Sequence, residues 1–267
     1  MPEISDPQLY LERMSKPLQE KLKIAKFISP KVESVIDIGC ADGTITIALA
    51  NMFPKVKFLG VDFNKEFIDI AKKKSEGIKN VSFEYGFLRE RLAKPERYDS
   101  AIFCSVLHEF YSYGEGISTV VKALADAHEI IKPDGNLIIR DMILYDYVSG
   151  ANLWLSRIED KIKRRKEVAK LLPSFEECFG KVASIKQINH FLLKYMYENN
   201  WEREGRENYV PVSFEQYDQI LELLGMKVQF RASYTIPYLR DLWKNDFSLT
   251  EDELSCLRST GIIVAEK

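Results

Sequence analysis

The chain has 267 residues, is 46% hydrophobic and 29% charged, and carries a formal net charge of -2. That suits one large α/β domain with an insertion, and near-neutrality excludes a global field that would draw the protein to nucleic acid or an anionic membrane. Four separated cysteines (Cys40, Cys104, Cys178, Cys256) with no C-x-x-C pair exclude a zinc site by spacing and a disulfide framework, which predicts a reducing, cytoplasmic setting with no metal.

The polar start, Met1 to Asp6, is read as no secretory leader, and no apolar run reaches the roughly 18 residues needed to span a bilayer. Residues 6–29 have helical apolar spacing, with Ser5 or Asp6 as cap and Pro17 dividing the segment in two. Val35-Ile36-Asp37-Ile38 reads as a buried strand, followed by a glycine turn and a helix over 43–52. Val56 to Val61 is a second strand closing on Asp62, and Asn64 caps a helix that Gly77 ends. Residues 81–85 alternate as a third strand, and Ala101 to Cys104 form a fourth. A helix over Ile117–Ile131 leads into the turn Lys132-Pro133-Asp134-Gly135 and a fifth strand, Asn136 to Arg140.

Strands and helices that alternate this way predict a doubly wound, mostly parallel sheet. From Tyr145 to Pro211 the alternation stops, and the segment is helical, aromatic and charged. Ser213 then caps a helix over Phe214–Leu224, Met226 to Ala232 is strand-like, and Gly261 to Ala265 forms a last strand. The chain is thus read as one domain: N-terminal helices (1–30), a cofactor-binding core (31–142), a helical insertion or lid (143–211), and a final helix with strands (212–267).

The glycine turn decides the ligand class. A dinucleotide loop needs G-x-G-x-x-G, but Ala41 and Thr44 occupy its second and third positions. The spacing acidic-x-G-x-G-x-G fits better, as Asp37, Gly39, Ala41 and Gly43. In that pattern the loop cradles a nucleoside joined to an amino acid. Asp37 is placed to accept from an ammonium group, and Asp62 from both ribose hydroxyls.

With Asp37-Ile38-Gly39-Cys40-Ala41-Asp42-Gly43, Gly60-Val61-Asp62-Phe63-Asn64, Tyr98 to His108, and Ile130 to Leu137 in order and at the right spacing, the sequence resembles a class I S-adenosylmethionine-dependent methyltransferase. The likeness covers about residues 33–142 plus the last helix and strands. It implies a seven-stranded sheet with an antiparallel last strand, an N-terminal helical cover, and S-adenosyl-L-methionine as cofactor. It implies cofactor contacts at Asp37, Gly39, Cys40, Ala41, Gly43, Asp62, Phe63, Gly86, Phe87, Cys104, Ser105 and His108.

There are two departures from the family pattern. Ala41 replaces a glycine, which a negative φ would tolerate. Gly86-Phe87 stands where an acidic residue often meets the adenine, so adenine is expected to rest on backbone and apolar groups.

Methyl transfer from a sulfonium is an in-line displacement that needs alignment and, for some acceptors, a base. His108, on the loop after the fourth strand, is the first candidate base. His190 and Tyr195, in the insertion, are further catalytic candidates. Phe191, Tyr195 and Glu198 share one helix side, and His190, Lys194 and Tyr197 another, so this helix could lie over the pocket. Tyr10, Met14 and Lys21 are candidates to cover the cofactor. Arg140 and Asp141 end the fifth strand, either as substrate contacts or as a mutual ion pair.

The expected function is methyl transfer to O or N of a small molecule, with no membrane partner. Lys161 to Lys170 is a basic run that would suit an RNA or nucleotide substrate, though it reads more readily as a solvated face. A non-catalytic cofactor-binding partner is a third reading.

Overall fold

The computed structural model describes residues 17–146 and 152–267. The expected caps Ser5 and Asp6 and the cover candidates Tyr10 and Met14 lie outside the described residues.

Seven strands form one sheet in the order β3-β2-β1-β4-β5-β7-β6. They are β1 (Ser34–Ile38), β2 (Lys57–Asp62), β3 (Val81–Tyr85), β4 (Tyr98–Cys104), β5 (Ile131–Asp141), β6 (Lys227–Tyr234) and β7 (Thr260–Glu266). The first five pair in parallel, and β7 runs antiparallel to β5 and β6, as the sequence led us to expect. Apolar runs such as Val35-Ile36 and Ala101-Ile102-Phe103 are buried because both sheet faces are covered. Ile36, Ile38, Ala101 and Phe103 pack on one face, and Val35, Ile102 and Ile138 on the other.

Helix α1 (Thr44–Met52) follows β1, and α2 (Lys65–Lys74) follows β2. Asn64 caps α2 by accepting from the Phe67 amide at 3.2 Å. After β4 come α3 (Leu107–Tyr113) and α4 (Ile117–Ile130). The chain leaves β1 toward β2 on one side and returns through β4 on the other. The crevice at the carboxyl ends of β1 and β4 is therefore where such a sheet binds ligands.

The expected turn at Lys132–Gly135 is part of β5 itself. The β4–β5 register jumps from Tyr98↔Ile131 to Ser100↔Asn136, and Asp134 is left-handed at φ 61°. Asp99 pins this irregularity. Its carboxylate accepts from the Ser34 amide at 2.8 Å and meets Lys132 Nζ at 2.9 Å.

Beyond β5 the chain builds a helical lobe with its own apolar cluster. Its members include α5 (Asn152–Arg164), α6 (Ile185–Lys194) and, after α7 (Phe214–Leu223), α8 (Pro237–Phe247). Phe175, Phe191, Leu192 and Trp243 are its fully buried centre, and Trp243 Nε1 donates to the Leu192 carbonyl at 3.0 Å. Helix α8, between β6 and β7, was not anticipated. The sequence places it far from the insertion, and packing returns it there.

Helix α6 is not a lid with one wet face. Every residue from Ile188 to Lys194 is buried, so it is the lobe's central helix. The aligned sides expected beyond it end where a 3₁₀ segment begins, with non-helical backbone at Tyr197.

Candidate active site

Two cavities meet at Lys21. One lies on the glycine loop, bordered by Asp37, Gly39, Ala41, Thr44 and Cys104. The other, of about 190 Å³, lies beyond the ends of β4 and β5, with Ser105, His108, Glu109 and Arg140 on the sheet side and Leu193, Tyr197, Arg203, Glu207 and Tyr209 on the lobe side.

The loop is shaped by its backbone. Gly39, Ala41 and Gly43 have φ of 72°, 46° and 74°. Ala41 thus corrects the expectation of a negative φ: it sits in the left-handed region at a cost of roughly 1–2 kcal/mol. A Cβ on Gly39 would collide with Val106, and one on Gly43 would lie 2.5 Å from Phe83. Lys74 ion-pairs Asp42 at the loop's outer edge.

Asp62 braces the turn from β2. Its Oδ2 accepts from the Ala41 amide at 2.9 Å and its Oδ1 from the Asn64 amide at 2.8 Å. Asp37 is fully enclosed. Its Oδ2 accepts from Thr46 Oγ1 at 2.6 Å, and burial pushes its pKa up to about 6. The Lys21 charge nearby works against this rise without cancelling it.

Cys40 and Cys104 are buried, and burial raises both thiols above their usual range, so neither is a thiolate. The Cys40 side chain packs with Ile68, Ala71 and Phe83. Phe63 and Phe87 stack at 6.0 Å beside Gly86, which has φ of 149°. The Phe87 amide donates to Glu90 Oε2 at 3.2 Å, so Glu90 folds back onto the loop that lacks its own acidic residue.

His108 lies in the second cavity, not on the loop. Its Nδ1 meets Asp141 Oδ1 at 2.7 Å and its Nε2 meets Glu207 Oε1 at 3.0 Å. Burial works against a charged ring, but the two carboxylates outweigh it and hold His108 well above its usual pKa. This corrects the expectation of a general base: both nitrogens are engaged and the imidazolium has no lone pair to offer. Against the cost of burial, the same contact holds Glu207 down to about 2. Glu207 also accepts from Tyr113 at 3.0 Å and faces Arg203 at 3.6 Å. Ligand atoms of His108, Glu109 and Glu207 gather within 4.8 Å, but the imidazolium, Tyr113 and Arg203 already occupy the Glu207 carboxylate.

The other two catalytic candidates belong to the lobe's core. The His190 ring accepts from the Tyr209 amide at 3.2 Å between Phe175 and Phe179, and burial drives its pKa down. Tyr195 donates to Asp246 at 2.6 Å and packs on Phe247. Neither lines either cavity.

Arg140 and Asp141 do not pair with each other. Alternation along β5 sends Asp141 to His108, while Arg140 Nη1 donates to Ser105 Oγ at 2.8 Å. Glu204 and Glu207, in a stretch dense with charge, were not singled out from the sequence, yet both are buried. No periodicity marks them.

The basic run is largely neutralised. Lys161 pairs with Glu253, Lys163 with Glu159, Arg165 with Asp246 and Lys170 with Glu198. The feature that favoured an RNA substrate is thus mostly absorbed in structural ion pairs. Among the described residues no helix is long and apolar enough to cross a membrane.

A family model described as a methyltransferase domain matches residues 30–205. A probable methyltransferase of Aspergillus luteorubrus is 29% identical over 129 residues, 45% of this chain and 44% of that protein. A malonyl-[acyl-carrier protein] O-methyltransferase of Bacillus anthracis is 38% identical over 68 residues, 26% of this chain and 24% of that one. The chain thus spans less than half the length of these curated relatives. Among solved structures, an O-methyltransferase family protein from Burkholderia thailandensis matches at TM-score 0.59 and 12% identity, over 98% of this chain and 59% of that chain. The plantazolicin methyltransferase, solved with SAH and a desmethyl analogue, matches at TM-score 0.55 and 14% identity, over 100% and 91%. At such identities the likeness is one of fold.

Proposed function

Because the chain belongs to the class I S-adenosylmethionine-dependent methyltransferases, we propose that it moves a methyl group from S-adenosylmethionine to an oxygen or nitrogen of a small molecule. The observation that carries this reading is the junction of the two cavities at Lys21, one on the glycine loop and one walled by the helical lobe.

The loop's chemistry fits the donor. Asp37 is a buried carboxylate whose nearby positive charge, Lys21, does not offset the effect of burial, and a donor ammonium would further stabilise its charged form. Asp62 is held at the end of β2 by two amides, each oxygen keeping a further lone pair for a ribose hydroxyl. Phe63 and Phe87 offer an apolar face for the base.

When bound, the donor supplies a methyl already activated on a sulfonium. The chain's task is to bring the acceptor's lone pair into line with that carbon and to keep water out. The new bond to O or N forms as the S–C bond breaks, and the electron pair stays on sulfur. An acceptor that carries a proton must also lose it. With His108 locked as an imidazolium, Glu109 on the same wall is the proton acceptor in this reading.

Calorimetry with S-adenosylmethionine and S-adenosylhomocysteine tests the proposal. Saturable binding of both is expected, and binding of neither would overturn it. Glu109→Gln should then lower turnover far more than it weakens donor binding.

A further inference from the structure

We propose that the second cavity is built for an acceptor bearing a carboxylate, which seats on the free Nε edge of Arg140. The inference rests on the methyltransferase reading above, since it assigns this cavity to the acceptor.

Arg140 is 4% exposed and lines that cavity. Its Nη1 donates to Ser105 Oγ at 2.8 Å, while its Nε is buried with no hydrogen-bond partner. No carboxylate lies within ion-pair distance of it among the described residues. A buried guanidinium without a counter-charge is costly, and proteins retain one where a ligand completes it.

Glu109 shares this wall as the proton acceptor named above, and the other neighbouring acids are held by other groups. Asp141 holds His108 and accepts from the Met142 amide at 2.9 Å. Glu207 is shared by His108, Tyr113 and Arg203, and Glu204 pairs with Lys194 at 3.1 Å. Lys21 stands beside Arg140, so two cations face one space. Burial, and Arg140 among the nearby charges, depress the lysine's pKa, which an anion would reverse.

The fork is oriented as well as charged. Ser105 is left-handed at φ 60°, and its amide donates to the Arg140 carbonyl at 2.6 Å while its hydroxyl takes Nη1. The strained Ser105 thus fixes the guanidinium through Nη1 and leaves its Nε edge without a protein partner. A planar carboxylate can accept two parallel bonds from that edge.

The donor's own carboxylate is the competing occupant. Arg140 does not line the loop cavity, and β5 lies two strands from β1, roughly 10 Å away at ordinary strand spacing. Lys21, which lines both cavities, is the better partner for the donor.

The test uses the full chain, with and without S-adenosylhomocysteine. Butyrate and benzoate are titrated beside butyramide and benzamide, on wild type, Arg140→Gln and Arg140→Lys. The carboxylates should bind wild type about tenfold or more tighter than the amides, and Arg140→Gln should abolish that preference with S-adenosylhomocysteine affinity within about threefold of wild type. Arg140→Lys should restore only part, because a point charge lacks the fork. Should Arg140→Gln fail to fold, Ser105→Ala serves instead: it frees Nη1 and should weaken the carboxylates several-fold. Equal binding of acids and amides, or no binding of either, overturns the proposal. So does an Arg140→Gln effect on S-adenosylhomocysteine as large as on the carboxylates, which would make the donor its occupant. Failure of wild type to bind S-adenosylhomocysteine instead overturns the methyltransferase reading, whatever Arg140 does.

Discussion

The loop between β1 and α1 and the wall beyond β4 and β5 are built in opposite ways. The loop is seven consecutive residues, Asp37 to Gly43, whose shape comes from three positive-φ positions. The wall is assembled from Lys21, Ser105, Glu109, Arg140 and Glu207, side chains brought together from across the chain. Its key contact, His108 to Glu207, spans 99 residues. A backbone-built site tolerates changes in its neighbours and suits a ligand common to many proteins. A side-chain-built site can be rewritten one residue at a time, which is what a specific acceptor needs.

Breaking the wall should cost most. Asp141→Ala strips one of the two carboxylates from a buried imidazolium and should destabilise the fold by about 3–5 kcal/mol, read by denaturant unfolding. The effect should depend on pH. A raised His108 pKa contributes stability fully present below its ordinary 6.5 and lost as pH rises through the raised value. A depressed Asp141 pKa, lowered by His108 against the cost of burial, contributes above its ordinary 3.8 and is lost as pH falls through the lowered value. The wild-type advantage should therefore peak between those ordinary values, and a pH-independent difference would refute the clamp.

Breaking the loop should cost less stability but all of the donor site. Gly39→Ala forces a side chain at φ 72° against Val106. We expect roughly 2–4 kcal/mol from backbone strain and overpacking together, with donor binding lost. Retained binding would mean that the loop is not the cradle. Tyr195→Phe removes the bond to Asp246 inside the lobe. It should cost about 1–2 kcal/mol and leave turnover unchanged at a temperature where the variant is folded, whereas a fall in turnover would return Tyr195 to the site. The smallest effect runs the other way: Ala41→Gly should stabilise by about 1 kcal/mol, because glycine removes the left-handed penalty. A loss on heating would show that the Ala41 methyl packs usefully.

The same contrast decides what could be read in advance. The strands were legible because buried β residues are apolar in runs, and the loop because glycine spacing is a local signal. The antiparallel β7 came with the family likeness. The roles of His108, Arg140 and Asp141 were not legible, because they depend on which way β5 alternates and on Glu207 far downstream. His190 and Tyr195 looked functional because polar aromatics in a helix are ambiguous until burial is known. The Lys132–Gly135 stretch has the composition of a turn, yet the sheet absorbs it as a register jump held by Asp99.

The central claim is that Asp37 and the glycine loop hold the donor's amino-acid end. With Asp37 held up to about 6 in the free protein by burial, a bound ammonium must lower it, so binding favours the deprotonated form. The direct measurement is the affinity of S-adenosylhomocysteine, by calorimetry from pH 5 to pH 7.5, for wild type and Asp37→Asn. We expect wild-type affinity to weaken as pH falls below about 6, by up to about tenfold per unit, and Asp37→Asn to bind weakly at every pH. Equal affinity across that range, with Asp37→Asn binding as well as wild type, would contradict it.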